Sequence, residues 1–242
     1  MRFYRNMVFD RIENQEFVNE NYEVATYSGV TKKTLFYLMM VVLGAFGGFA
    51  LGAVNEALYV GILAASGLLT FIFAMIAMLS PRSAKVAGSL YCLFEGCVVG
   101  FISMAYSTLL EGAVLTALLS TTMVFFVVAT LFLSNIVKVN SKFMRFLLIF
   151  AISFIVTQLV LYLIMAISGQ EYSITLCLGV SAITVFLASL YLLFDLEHIR
   201  MTVEGGYPKE YEWYASFGLT FTLVWLYVEI LRLIVIIFTD RN

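Results

Sequence analysis

Seven long runs of apolar residues alternate along the chain with short polar segments. Each run is close to the roughly 20 residues that an α-helix needs to cross the ~30 Å hydrocarbon layer of a bilayer. The pattern predicts an all-α integral membrane protein, a bundle of seven transmembrane helices in which sequential helices are antiparallel neighbours. The predicted spans are residues 34–53, 58–80, 86–109, 113–133, 143–167, 173–196 and 214–238.

These spans divide the chain into three parts. Residues 1–33 are predicted to form a cytoplasmic N-terminal segment, residues 34–238 the seven-helix transmembrane domain, and residues 239–242 a short external C-terminus. Within the first part, Met7, Val8 and Ile12 have the spacing of a short amphipathic helix.

The composition agrees with a membrane protein. Hydrophobic residues make up 62% of the chain and charged residues 12%, whereas a soluble domain has about 45–50% and about 25%. A net charge of −2 provides no basic surface of the kind that nucleic acid needs. The lipid bilayer is therefore the first predicted partner, and nucleic acid is excluded.

The positions of the basic residues predict the orientation. The first, third and fifth loops contain no lysine or arginine and carry Glu56, Glu111 and Glu171 instead. All but two of the 14 basic residues fall on the other side: Arg2, Arg5, Arg11, Lys32, Lys33, Arg82, Lys85, Lys138, Lys142, Arg145, Arg200 and Lys209. By the positive-inside rule, the N-terminus lies in the cytoplasm. We expect this membrane to be a bacterial plasma membrane.

Glycines at four-residue spacing mark two of the predicted helices. Gly44, Gly48 and Gly52 share one face of the first helix, and Gly96 and Gly100 share a face of the third. Small residues let the backbones of membrane helices approach closely. These faces predict tight packing within the chain, and a dimerisation motif is the alternative. The expected state is a monomer or a weak homo-oligomer.

Four charged residues lie inside the apolar runs, namely Glu95, Asp195, Glu229 and Arg232. Because a charge in mid-membrane costs at least about 2.5–3.5 kcal/mol, such residues are functional candidates by default. Each also has a structural interpretation.

Those structural interpretations pair each charge locally. Asp195 could pair with His198 three residues on, and Glu229 with Arg232 one turn on. Glu95 could be a protonated carboxyl that donates to backbone. Arg232 is either a counter-ion or a side chain that extends to the membrane surface.

No hydrolytic or nucleotide-binding machinery accompanies these charges. His198 is the only histidine, and the chain has no GxSxG, phosphate-loop or HExxH motif. We therefore expect no enzymatic activity and no cofactor. Membrane-embedded carboxylates suit proton sensing or cation passage.

Two late segments resemble the Bax inhibitor (transmembrane Bax inhibitor motif) family in its bacterial branch. They are Phe194-Asp195-Leu196-Glu197 and Leu226-Tyr227-Val228-Glu229-Ile230-Leu231-Arg232-Leu233, supported by Gly88, Glu95-Gly96 and Gly100. The resemblance covers the chain from about Lys32 onward and leaves the N-terminal segment outside.

The resemblance implies a pH-sensitive calcium leak channel. In such members, two acids from the sixth and seventh helices share a proton, and an arginine near the end of the second helix latches one of them. Asp195 matches the first acid, Glu229 matches the second with glutamate for aspartate, and the latch matches Arg82, with Lys85 as the alternative. Glu95 is a possible third acid of the pathway.

The same acids are the candidate calcium ligands, because calcium prefers carboxylate oxygens. Calcium is the expected permeant ion, and protons are the expected regulator. Two carboxylates about 4 Å apart repel by about 4 kcal/mol at an effective dielectric near 20, which is enough to open a helix contact. The predicted depths of the two acids in the membrane are difficult to reconcile with such a pair. Asp195 is predicted one turn from the cytoplasmic side, and Glu229 roughly 22 Å into its helix.

Two other functions stay open. The chain could be a non-conducting regulator of membrane proteases or of cell-death pathways, with other membrane proteins as partners. An intramembrane aspartyl protease also places acids on two late helices, but its GxGD motif is absent before Glu229.

Overall fold

The computed structural model describes residues 23–52, 56–137, 139–169 and 173–239. Seven helices account for most of them, and every one is long and apolar enough to cross a membrane. They are α1 (Tyr27–Gly52), α2 (Glu56–Leu79), α3 (Ala84–Leu109), α4 (Ala113–Leu133), α5 (Ser141–Ser168), α6 (Ile174–Glu204) and α7 (Tyr211–Thr239). The predicted fold class and helix number are confirmed. The predicted amphipathic helix at Met7, Val8 and Ile12 lies outside the described residues.

Two helices extend furthest beyond the apolar runs that predicted them. α1 begins at Tyr27 and continues through Lys32 and Lys33, while α6 continues to Glu204. Polar residues end an apolar run but do not end a helix, so the runs underestimate the helices at their charged ends. As a result, Asp195 lies nine residues from the end of α6, roughly 13 Å, which is deeper than the sequence predicted.

Local sequence signals fix several helix ends. The side chain of Asn140 accepts a 2.9 Å hydrogen bond from the Phe143 backbone N–H at the start of α5. Ser173 caps α6 in the same way through the N–H of Leu176. Gly169 ends α5 with a φ of 65°, a left-handed conformation that favours glycine.

The glycine faces of α1 and α3 pack against each other. A Cβ added to Gly44 would stand 3.0 Å from the Cα of Gly96, and one added to Gly48 would stand 2.6 Å from the Cys97 carbonyl oxygen. A Cβ added to Gly100 would stand 2.4 Å from the Ala45 carbonyl oxygen. The predicted tight packing within the chain is confirmed, and this seam occupies the face that a dimer motif would need.

α7 occupies the centre of the bundle. It packs against α6, α1, α4 and α3, and its fully buried side chains include Phe217, Leu226 and Leu231. In contrast, α5 makes close backbone contact with α6 alone among the described helices. Only Leu147 and Ala151 are buried on α5. The core is therefore built around α7, and α5 lies at its edge.

One end of the bundle is held by a network between the start of α1 and the α6–α7 connection. The Ala25 N–H donates to the Tyr207 carbonyl over 2.8 Å, and Lys209 N–H donates to the Glu23 carbonyl over 2.8 Å. The Lys209 ammonium also pairs with the Glu23 carboxylate, and this hydrogen bond raises the pKa of Lys209. The residues just before α1 are thus tied to the residues just before α7.

Candidate functional site: the buried acids of α6 and α7

Asp195 is buried between α6 and α7, with 7% of its surface exposed. A Cβ added to Gly218 of α7 would stand 3.3 Å from its Oδ1 atom, so the glycine leaves the space that this carboxyl fills. The Thr222 hydroxyl, one turn further along α7, lies within hydrogen-bonding reach of the carboxyl. The Oδ2 atom has no hydrogen-bond partner among the described residues.

Asp195 lines a partly open cavity of about 550 Å³ between α2, α5, α6 and α7. Its walls are mostly apolar. The side chains that bring polar atoms to it are those of Gln158, Tyr191, Asp195, His198, Tyr214, Thr222 and Trp225. A buried carboxyl oxygen without a partner is expensive in such a setting, so water, a proton or a cation is the natural complement of this site.

Glu229 belongs to a different local site. Its Oε2 atom lies 2.5 Å from the Arg232 guanidinium, one turn on along α7. Arg232 also donates from Nε to the Ser181 hydroxyl of α6 over 3.1 Å. Both charges line a second cavity of about 470 Å³, together with Gln158 and Ser181. The pair of Glu229 with Arg232, which the sequence left open, is the arrangement that forms.

Asp195 and Glu229 have different partners and lie at different depths, so the structure gives the predicted carboxyl pair no support. Glu229 lies 18 residues into α7, roughly 27 Å, whereas Asp195 lies roughly 13 Å from the matching end of α6. Gly218 and Thr222, roughly 10 and 16 Å into α7, bracket the depth of Asp195. Thr222 therefore stands where the resemblance placed a second acid, and the predicted calcium site shared by both acids lacks geometric support.

The two residues predicted as the latch, Arg82 and Lys85, also lie outside the Asp195 cavity. Arg82 is exposed and acts electrostatically on Tyr211, and the Lys85 ammonium lies 5.6 Å from the centre of the Trp213 ring. Both side chains lie at the first turn of α7, and neither lines the Asp195 cavity. The reason is the packing order, since the beginning of α3 meets the beginning of α7 rather than α6.

Glu95 is half-buried on α3, one turn from Tyr91. It lines neither of the two cavities that contain Asp195 and Glu229. The structure does not bring it to the other acids, so its predicted place as a third acid of their pathway lacks geometric support. Among the described residues, no three histidine, cysteine, aspartate or glutamate side chains are grouped as metal ligands.

The sequence analysis missed Glu212, a fully buried acid at the start of α7. Its carboxylate pairs with the Lys33 ammonium at 2.6 Å and accepts a 2.8 Å hydrogen bond from the Thr26 backbone N–H. A negative charge at this position complements the N-terminus of α1. The sequence feature that could have identified Glu212 is an acid between two aromatic residues, Tyr211 and Trp213, on the same predicted side of the membrane as Lys33.

Comparison with known proteins identifies the family of this chain. No curated protein matches the chain. The profile of the Bax inhibitor 1 like family matches residues 6–239, nearly the whole sequence. The match begins well before Lys32, so the N-terminal segment that the sequence analysis left outside the resemblance is part of it. The chain belongs to the Bax inhibitor 1 like family.

Proposed function

We propose that this protein is a pH-sensitive cation leak channel that passes calcium, with Asp195 as its protonation site. The observation that carries the proposal is the Asp195 carboxyl, which is buried between α6 and α7 with one oxygen unpartnered among the described residues, at the wall of a cavity that Asp195 lines. Carboxylate oxygens suit calcium, and an intramembrane acid without a counter-ion is a site for a proton or a cation. We further propose that the protein lies in a bacterial plasma membrane with its N-terminus in the cytoplasm.

The cavities of Asp195 and Glu229 suggest a path. Both are lined by Phe154 and Gln158 of α5. Trp225 lines the first cavity and lies within hydrogen-bonding reach of the Glu229 carboxylate of the second. Because α5 packs closely against α6 alone among the described helices, an outward movement of α5 is the motion that would join the two cavities.

The mechanism differs from a shared proton between two acids. A protonated Asp195 is neutral and compatible with an apolar cavity, which favours the closed state. A deprotonated Asp195 requires water or a cation, so flux should rise with pH. The titratable groups around it are Tyr191 and His198 on α6 and Tyr214 on α7, while α2 and α5 contribute none from their described lining residues.

Ion flux into proteoliposomes at several pH values tests this proposal. Calcium flux should rise with pH in the wild type, and Asp195→Asn should remove that dependence because the side chain no longer titrates. Thr222→Val, which removes only the hydroxyl beside Asp195, should shift the pH profile without abolishing flux. Glu197→Gln is the matched control, since Glu197 pairs with Arg200 on the same helix at 3.3 Å, and it should behave as the wild type.

A non-conducting regulatory protein is the second candidate function. It is favoured by the Glu229–Arg232 ion pair, which balances the charge of the second acid locally. Among the described residues that line the two cavities, Asp195 is then the one acid without an ion-pair partner. Absence of calcium flux from well-folded protein at every pH would support this regulator and reject the channel. Flux that keeps full pH dependence in Asp195→Asn would reject only the assignment of the sensor.

A further inference from the structure

A second kind of site lies on the opposite side of α7. The described parts of α1 and α4 make no close backbone contact, and the space between them is a crevice of about 530 Å³ with α6 and α7 as its floor. Most of its lining is apolar, including Leu38, Phe125, Ala129 and Leu223. Leu35 on α1 and Phe126 on α4 are 60% exposed at its rim. The crevice therefore opens towards the hydrocarbon of the bilayer.

Four threonines line this crevice, and three of them are satisfied within their own helices. The hydroxyls of Thr31, Thr121 and Thr122 donate to the carbonyls four residues earlier, over 2.9, 2.8 and 2.8 Å. This bonding is the usual way in which a threonine is accommodated in an apolar helix.

Thr34 is the exception. Only 7% of it is exposed, and its hydroxyl has no hydrogen-bond partner among the described residues. The carbonyl four residues earlier, that of Val30, accepts from the Ser216 hydroxyl over 2.9 Å in addition to the helical N–H. Both of its lone pairs are therefore used. A buried hydroxyl left without a partner costs free energy. The oxygen is enclosed in this position, and a rotation about the Cα–Cβ bond brings it to a ligand atom in the crevice that Thr34 lines.

The polar end of the crevice carries charges of both signs. Tyr27, which lines the crevice, donates from its hydroxyl to Glu204 over 3.0 Å. The Arg200 guanidinium lies 4.0 Å from the centre of the ring of Phe132, another lining residue, and pairs with Glu197 at 3.3 Å. One cation and two anions thus surround this mouth, a combination that suits a zwitterionic group better than an anionic one.

We propose that the crevice binds one zwitterionic glycerophospholipid of the surrounding bilayer. An acyl chain lies between α1 and α4, an ester carbonyl accepts from the Thr34 hydroxyl, and the phosphate and amine of the headgroup face Arg200 and Glu204. The crevice runs from Tyr27 to Val41 along α1, roughly 21 Å, which exceeds the ~15 Å hydrocarbon depth of one leaflet. This proposal does not depend on whether the protein conducts ions.

Native mass spectrometry of the full chain, released from detergent after equilibration with phosphatidylethanolamine, tests the proposal. The wild type should retain one lipid per chain. Thr34→Val keeps the shape and removes the hydroxyl, so lipid affinity should fall about fivefold, the usual effect of losing one neutral hydrogen bond. Thr130→Val is the matched control, because Thr130 lies on α4 outside the crevice lining and its hydroxyl already donates to the Phe126 carbonyl. This variant should retain lipid as the wild type does.

A second pair of variants tests the acyl chain. Ala129→Phe fills the crevice and should reduce retention more than tenfold, whereas Ala65→Phe, on an exposed position of α2, should not. Equal lipid retention in Thr34→Val, Ala129→Phe and the wild type would overturn the site. Tighter retention of phosphatidylglycerol than of phosphatidylethanolamine would overturn the headgroup assignment. A dimer that Ala129→Phe dissociates would assign the crevice to a second copy of the chain instead.

Discussion

At the scale of single residues, the acids of this protein differ chiefly in how they are neutralised. Glu212 has a lysine and a backbone N–H as partners, and Glu229 has an arginine on its own helix. Asp195 has the Thr222 hydroxyl within reach and, among the residues that the structure describes, no partner for its Oδ2 atom. A fully paired acid contributes to the fold, because its charge is balanced where it lies. Asp195 is the acid whose charge must be balanced by something that enters its cavity, and this is why the proposed function rests on it.

The role of Glu212 can be tested by removing its charge and keeping its shape. Glu212→Gln can still accept a hydrogen bond from Thr26 but loses the ionic partner of Lys33, so the free energy of unfolding should fall by about 1.5–3 kcal/mol. The measurement is thermal or denaturant unfolding in detergent. Glu210→Gln is the control, since Glu210 is exposed two residues earlier, and its change should stay within about 0.5 kcal/mol. Equal losses in both variants would contradict the structural role of Glu212.

At the scale of elements, the seam between α1 and α3 shows how glycines position the helices. The two backbones lie so close that a Cβ on Gly44 would overlap the Leu93 carbonyl. This approach places α3 against the first turn of α7, where Lys85 lies over Trp213. Neither Arg82 nor Lys85 lines the Asp195 cavity in this packing.

Two glycines of α1 provide a matched test of this seam. Gly44→Ala should destabilise the protein by about 1–3 kcal/mol, because the added methyl forces the two backbones apart. Gly47→Ala introduces the same methyl where no atom lies within 4 Å, and it should leave stability unchanged or slightly raised, since alanine favours a helix over glycine. Unfolding midpoints in one detergent compare the two variants directly. Similar midpoints for both would mean that the seam is looser than described.

The sequence predicts elements better than it predicts the contacts between them. Seven spans and the glycine packing could be predicted because apolar runs and four-residue spacings are local properties. The partner of Asp195 could not, because it depends on where α6 and α7 begin and end, and both extend through polar residues that an apolar count ignores. Once α6 ends at Glu204, the depth of Asp195 matches Gly218 and Thr222 rather than Glu229. Nothing in the sequence marked Thr222 as the neighbour of Asp195, since a threonine in an apolar helix is ordinary.

At the scale of the whole molecule, the charges distinguish the two ends of the bundle. The start of α1, the start of α7 and the connection before it meet through Lys33, which pairs with Glu212 and donates to the Lys209 carbonyl. Arg200, near the end of α6, lies over Phe132 near the end of α4. Basic residues that are far apart in sequence therefore share one end, as the alternation of loops predicted. Which compartment this end faces stays a prediction.

Cysteine labelling in intact cells tests the orientation. In a background without Cys92, Cys97 and Cys177, a cysteine at Glu111 should react with a membrane-impermeant maleimide, because the positive-inside rule places that loop outside. A cysteine at Arg82 is the matched position at the other end of α3, and it should react only after the cells are opened. Both positions lie in short connections next to the same helix, so the difference reports the side of the membrane rather than local access. Labelling of the Arg82 position in intact cells, with protection at Glu111, would invert the topology and move the charged end of the bundle, including Glu212 and Lys33, to the outside.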